Sequence, residues 1–279
     1  MPMPTASASH PSNTLPIGVF DSGVGGLSVY LHLQQLLRNE QFIYYADSAN
    51  VPYGNKSSAQ IRDLTVAAAA WLIARGIKLL VIACNSASAH ALDILRERYS
   101  IPIVGLVPAL KPAILLTTTR HIAVLATQAT LDGNLLNTII DNEATPLGIR
   151  VHKHFEPALV PWVELGAPKQ HPTYHALGRL MQQFATQHID TVVLGCTHYP
   201  FFKQLLQNYI DTHNLPIALV DSGLAIARRV QYLLTALHLN TPTPLNANGT
   251  SPPLQFYASR QDSTLVAETL IPNKLHIVS

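Results

Sequence analysis

Strand and helix patterns alternate along this chain in two similar rounds, which predicts an α/β fold of parallel sheets with helices on both faces. The strands come from short continuous apolar runs. Leu79-Leu80-Val81-Ile82-Ala83 and Thr191-Val192-Val193-Leu194-Gly195 do not alternate with polar residues, as befits strands buried on both faces. Each run ends in a cysteine and a polar cluster, where open parallel sheets place their ligands. The rounds also echo one another: Gly76-Ile77-Lys78-Leu79-Leu80-Val81-Ile82-Ala83-Cys84 aligns with His188-Ile189-Asp190-Thr191-Val192-Val193-Leu194-Gly195-Cys196. A duplication whose halves face each other across a cleft accounts for that echo, and it would bring both cysteines to one site.

The first round opens with a strand over Ile17 to Phe20, a helix from about Leu27 to Leu37 and a strand over Phe42 to Tyr45. Asn50-Val51-Pro52-Tyr53-Gly54 reads as loop because its Asn, Pro and Gly punctuate the pattern. A helix over roughly Ser58 to Arg75 leads to the first cysteine strand, and Ser88 to Tyr99 carries the next helix. Ile103 to Gly105 is a strand, and Pro108 to about Thr118 a helix. The second round runs from a strand at His121 to Thr127 through a helix after Leu131, a strand near Arg150 to His152 and a helix from about Thr173 to Gln187. Small polar residues after each cysteine are expected to open a helix. A helix from about Leu224 to Leu237, a Pro/Asn/Thr-rich loop near Asn240 to Pro253 and a final strand and helix from Leu254 complete the pattern.

Composition narrows the classes. Of 279 residues 48% are hydrophobic and 12% charged, about half the usual charged share, so a large core in one or two domains is expected. A net charge of +2 without any Lys/Arg block argues against nucleic acid and membrane surfaces as partners. Val66 to Cys84 is mostly apolar, but Arg75, Gly76 and Lys78 break it into helix, turn and strand rather than a membrane span. Residues 1–14 lack a charged and an apolar signal region and read as a disordered tail. Reduced thiols in a cytoplasmic protein are therefore expected, and the sequons at Asn55 and Asn248 carry no meaning.

The two cysteines, Cys84 and Cys196, are the chemical centre of the sequence. Thiolate is the reactive form, and an unassisted thiol supplies a few per cent of it at neutral pH. Both thiols are expected at helix amino termini, which favour the anion. His198 follows Cys196 by two residues, and Asp21 would reach Cys84 if its strand is the neighbour. An ionised Asp21 would raise the thiol pKa, so it would serve as a proton acceptor. Asp21-Ser22-Gly23-Val24-Gly25-Gly26 can aim backbone amides at an anion, but it is neither a dinucleotide fingerprint nor a P-loop. A pair of differently assisted thiols suits removal of a proton on one face of a carbon and donation on the other. Buried unreactive cysteines, a disulfide and a metal site remain open beside it, although no paired ligand spacing supports a metal.

Four motifs resemble those of the aspartate/glutamate racemase superfamily, and of its glutamate-specific members in particular. They are Ile17-Gly18-Val19-Phe20-Asp21-Ser22-Gly23-Val24-Gly25-Gly26-Leu27, Pro52-Tyr53-Gly54, Val81-Ile82-Ala83-Cys84-Asn85-Ser86-Ala87 and Leu194-Gly195-Cys196-Thr197-His198-Tyr199-Pro200. Pro157 to Glu164 resembles a further family segment. The resemblance implies cofactor-independent interconversion of L- and D-glutamate for bacterial peptidoglycan, with neither pyridoxal phosphate nor metal. It implies Cys196 as the base for the L-isomer and Cys84 for the D-isomer, Asp21 and His198 as their partners, and Glu164 orienting His198. Asp21, Ser22, Pro52, Tyr53, Gly54, Asn85, Ser86, Thr127, Thr130, Thr197 and His198 would hold the substrate. One departure is Ser86, where the family usually has threonine; the hydroxyl is kept. The resemblance also implies two flavodoxin-like three-layer domains, 15–108 with 219–279 and 109–218, and leaves a homodimer open. Its alternatives are a racemase of aspartate or another acid, and a non-catalytic two-lobed binder of an acidic ligand.

Overall fold

The computed structural model describes residues 13–241 and 252–271. The expected tail lies outside the described residues apart from Asn13 and Thr14, as does most of the loop near Asn240 to Pro253 with its sequon at Asn248. Among the described residues nine strands form two parallel sheets, as the alternating pattern predicts. The first sheet has the order β4 (Ile103–Gly105), β3 (Leu79–Ile82), β1 (Ile17–Asp21), β2 (Phe42–Ala46) and β9 (Leu254–Ala258). The second has the order β6 (Arg150–His154), β5 (His121–Leu125), β7 (Thr191–Leu194) and β8 (Ala218–Val220).

Period-two alternation along the strands feeds two cores per sheet. In the first sheet Val19 and Val81 face α1 (Leu27–Leu36) and α10 (Gly223–Ala236), whereas Phe20 and Ile82 face α2 (Ser58–Ile73) and α3 (Asn85–Arg98). The second sheet repeats the arrangement, with Val192 and Leu194 packed on one side and Val193 on the other. Helix α2 begins on a capping box, Ser57 and Gln60 each accepting from the other's backbone amide.

Several elements differ from expectation. Helix α3 opens directly after Cys84, as expected of the small polar residues there, but at Asn85 rather than Ser88, because Asn85 and Ser86 occupy its first turn, where short polar side chains are at home. No α-helix opens directly after Cys196. The amide of residue 200 would have to donate to the Cys196 carbonyl, and Pro200 has none; Tyr199 N donates to it instead at 3.1 Å and a short 3-10 turn follows. Helix α9 (Lys203–Thr212) begins only after that turn. The similar Asp21-Ser22-Gly23 and Asp221-Ser222-Gly223 are both turns in which the Asp carboxylate accepts from the glycine amide, at 2.8 and 3.0 Å.

At the opposite end of the first sheet, Lys78 is wholly buried. Its Nζ donates to Glu40 Oε2 at 2.5 Å, Asn13 O at 2.6 Å and Leu239 O at 2.8 Å, and lies 3.1 Å from Thr241 Oγ1. One ammonium thus ties together four distant pieces of chain.

Candidate active site

Strands β1 and β3 are hydrogen-bonded neighbours, so Asp21 at the end of one stands beside Cys84 after the other. Cys84 occupies the N-cap of α3, and its sulfur accepts from Ala87 N at 3.5 Å and donates to Ser22 Oγ at 3.6 Å. Burial, with the nearby Asp21 charge, pushes the Cys84 thiol up to about 12, although the Ala87 amide pulls the other way. Burial likewise pushes Asp21 up to about 6, against the charge of His198 and the Gly23 amide. Thr197 Oγ1 donates to Asp21 Oδ2 at 3.1 Å, carrying the contact across from the second sheet.

Cys196 follows β7 and is supported differently. Its sulfur lies 3.6 Å from His198 Nδ1, and His198 Nε2 lies 2.6 Å from Glu164 Oε1. Glu164, at the end of α7 (Leu159–Glu164), also accepts from Val24 N at 3.0 Å. Burial opposes a protonated His198, yet its bonds to Cys196 and Glu164 outweigh burial and hold the imidazole well above its ordinary value. The same bonds keep Glu164 below its ordinary value despite burial. One thiol therefore faces an imidazolium, and the other a carboxylate.

The glycine loop after β1 makes this closeness possible. A Cβ on Gly23 would strike the Glu164 carboxylate, and one on Gly25 would strike the His198 ring and approach Thr197 Oγ1 to 2.7 Å. Only glycine lets the loop lie flat against the histidine and its carboxylate partner.

Both thiols line one small cavity, of about 10 Å³, together with Ser22, Pro52, Tyr53, Gly54, Asn85, Ser86, Thr127, Thr197, His198 and Val160. Asp21, Glu164 and Thr130 stand behind this lining, Thr130 bonded to Thr127 Oγ1 at 2.9 Å and Thr127 in turn 2.8 Å from Ser86 Oγ. Val160 is the lining residue that sequence reasoning passed over, since an isolated valine in an apolar segment has no chemical mark. A larger open groove between α1 and Pro200 to Lys203 contains neither thiol. Asn85 Nδ2 is buried without a protein partner, a donor suited to a ligand oxygen in the cavity. Among the described residues no three His, Cys, Asp or Glu side chains are grouped to hold a metal ion, and none of the helices is long and apolar enough to cross a membrane.

Residues 17–230 match the family model described as Asp/Glu/Hydantoin racemase. A glutamate racemase of Deinococcus radiodurans is 47% identical over 84% of this chain and 80% of its own. Among solved structures, a glutamate racemase of Francisella tularensis in complex with D-glutamate has a TM-score of 0.79 at 30% identity, covering 96% of this chain and 97% of that one. A glutamate racemase of Escherichia coli in complex with L-glutamate and the activator UDP-MurNAc-ala has a TM-score of 0.75 at 34% identity, covering 94% and 97%. Motifs, fold and paired thiols converge with these likenesses: the chain belongs to the Asp/Glu/Hydantoin racemase family and, within it, to the glutamate racemases.

Proposed function

We propose that Cys84 and Cys196 are the two bases of a cofactor-independent racemisation of glutamate, which supplies the D-isomer for peptidoglycan. The observation that carries this reading is two buried thiols, one from each sheet, lining the same small cavity. For L-glutamate, a Cys196 thiolate beside protonated His198 takes the α-proton and becomes a thiol. The Cys84 thiol then gives its own proton to the opposite face of the carbanion, leaving a thiolate whose next proton exchange runs through Asp21. From D-glutamate the same steps run backwards. The hydroxyls of Ser22, Ser86, Thr127 and Thr197, with the Asn85 amide, hold the substrate, while the Pro52-Tyr53-Gly54 loop closes one wall. Residues 15–108 with 219–279 would form one domain and 109–218 the other, a boundary that falls within β8 of the second sheet. A cytoplasmic enzyme with a small-molecule substrate, able to form a homodimer, follows from the same reading.

L-glutamate incubated with the protein in deuterium oxide, with no added cofactor, should gain one α-deuterium and lose optical activity, and L-aspartate should react far more slowly. An L-glutamate sample that keeps both its α-hydrogen and its rotation overturns the assignment.

Asp21 makes a separate prediction. Its folded pKa of about 6 lies above the ordinary 3.8, so between those values the folded chain binds a proton that the unfolded chain has released. Stability from this group therefore falls as pH rises through that window, and at neutral pH the buried charge costs about 3 kcal/mol. Asp21→Asn should raise the urea midpoint at pH 8 more than at pH 4 and slow racemisation. A variant no more stable than the parent at pH 8 would refute the strained carboxylate.

A further inference from the structure

The geometry points to Asp47 as the positioning residue that sets the substrate-binding wall around Tyr53, an assignment that rests on the racemase reading above. Asp47 is buried just past the end of β2 and lies outside the cavity lining. Its backbone amide donates to Asp21 O at 3.0 Å, so it is registered directly against the strand that carries the acid beside Cys84. Its carboxylate gathers three side chains: Tyr53 OH donates to Oδ2 at 2.7 Å, Asn50 Nδ2 reaches both oxygens at 3.1 Å, and Ser259 Oγ donates to Oδ1 at 3.0 Å.

Those bonds cross the whole loop. Asn50 N returns to Asp47 O at 3.0 Å, and Ala49 N donates to Ser259 Oγ at 2.8 Å, so the chain after β9 clamps the start of the loop from outside. Tyr53, at the other end, is 1% exposed and lines the cavity. Gly54 next to it lies against Thr127 of the second half, closely enough that a Cβ would sit 2.6 Å from Thr127 Cβ. The loop is therefore held at one side by Asp47 and at the other by the opposite wall. Asp47 touches no reacting atom in this arrangement. Because the Tyr53 hydroxyl spends its single proton on Asp47, its oxygen keeps only acceptor capacity.

Loss of a positioning bond should appear in substrate binding rather than in the proton transfers. With Asp47→Ala, KM for both isomers should rise about tenfold, the cost of one hydrogen bond to a charged group, while kcat stays within about threefold. Tyr53→Phe should shift KM in the same direction, and the double variant should be no worse than the worse single one. Asp47→Asn keeps an acceptor oxygen for the tyrosine and should recover most of the loss, with thermal melts run alongside. Hydrogen exchange across residues 47–56 should quicken in Asp47→Ala whether or not substrate is present. An unchanged KM, a kcat loss without a KM shift, additive single effects or unaltered exchange would each overturn the assignment. If Asp47→Ala does not fold, Tyr53→Phe and Asp47→Asn carry the same comparison. An unsubstituted protein inert toward glutamate would fail the racemase reading alone, leaving the exchange measurement to judge Asp47.

Discussion

Cys84→Ser is expected to lower glutamate racemisation by roughly a hundred- to ten-thousand-fold, the range for removal of a general acid or base. The residual chemistry is as informative as the loss. With Cys196 intact, L-glutamate should still surrender its α-proton and receive a deuteron back on the same face, so it exchanges slowly without inverting. D-glutamate should exchange far more slowly, because the serine hydroxyl is a poor base. Cys196→Ser should give the mirror result, exchange of the D-isomer alone. Neither change removes much volume, so melting should shift by no more than about 1 kcal/mol in stability. Retained racemisation in either variant, or a fall in stability that matches the fall in rate, would return these cysteines to the role of packing. The pairing of thiols with unlike partners adds a further expectation: activity from D-glutamate should decline as acid protonates Asp21 near pH 6.

Lys78→Met should be the most damaging single change to stability. Lys78 and Glu40 are both buried, and Glu40 also accepts from Thr241 N at 2.9 Å and Thr241 Oγ1 at 2.8 Å. Removing the ammonium leaves a carboxylate buried without its counter-charge, together with a carbonyl oxygen, Leu239 O, that loses its donor. The expected cost is about 3 to 5 kcal/mol, on the order of 10 °C in melting temperature. Combining Lys78→Met with Glu40→Leu should restore much of it, since the penalty lies in the widowed charge. A thermal melt of the three variants settles the matter: a single variant as stable as the parent would show the cluster to be dispensable.

The central strands were legible because runs such as Leu79 to Ala83 bury both faces and admit no other local reading. The elements that escaped reading have local reasons. Pro161 sits inside Leu159–Glu164 and normally argues against a helix, but in a first turn its missing amide has no partner to lose. Ala218–Val220 is too short to stand out from its surroundings. At the site, Asp21, Cys84, Cys196 and His198 could be singled out because each stands at a strand end beside another polar residue. Asp47 and Lys78 could not: although Asn50 and Tyr53 lie close to Asp47, the residues that complete the two clusters, Ser259 and Thr241, lie 212 and 163 residues away. The helix expected after Cys196 failed on one missing amide, that of Pro200.

The position of β9 has a consequence for how the chain is made. It pairs in parallel with β2, Leu254 opposite Phe42, although more than two hundred residues separate them. During synthesis β1 to β4 can associate early, yet β2 then remains an open edge with unpaired amides and carbonyls. That edge, bearing Phe42, Ile43, Tyr44 and Tyr45, stays available to other nascent chains until Leu254 to Ala258 have left the ribosome. At about 5 to 20 residues per second, the exposure lasts on the order of ten seconds or more, so this edge stays unpaired for most of the chain's own translation.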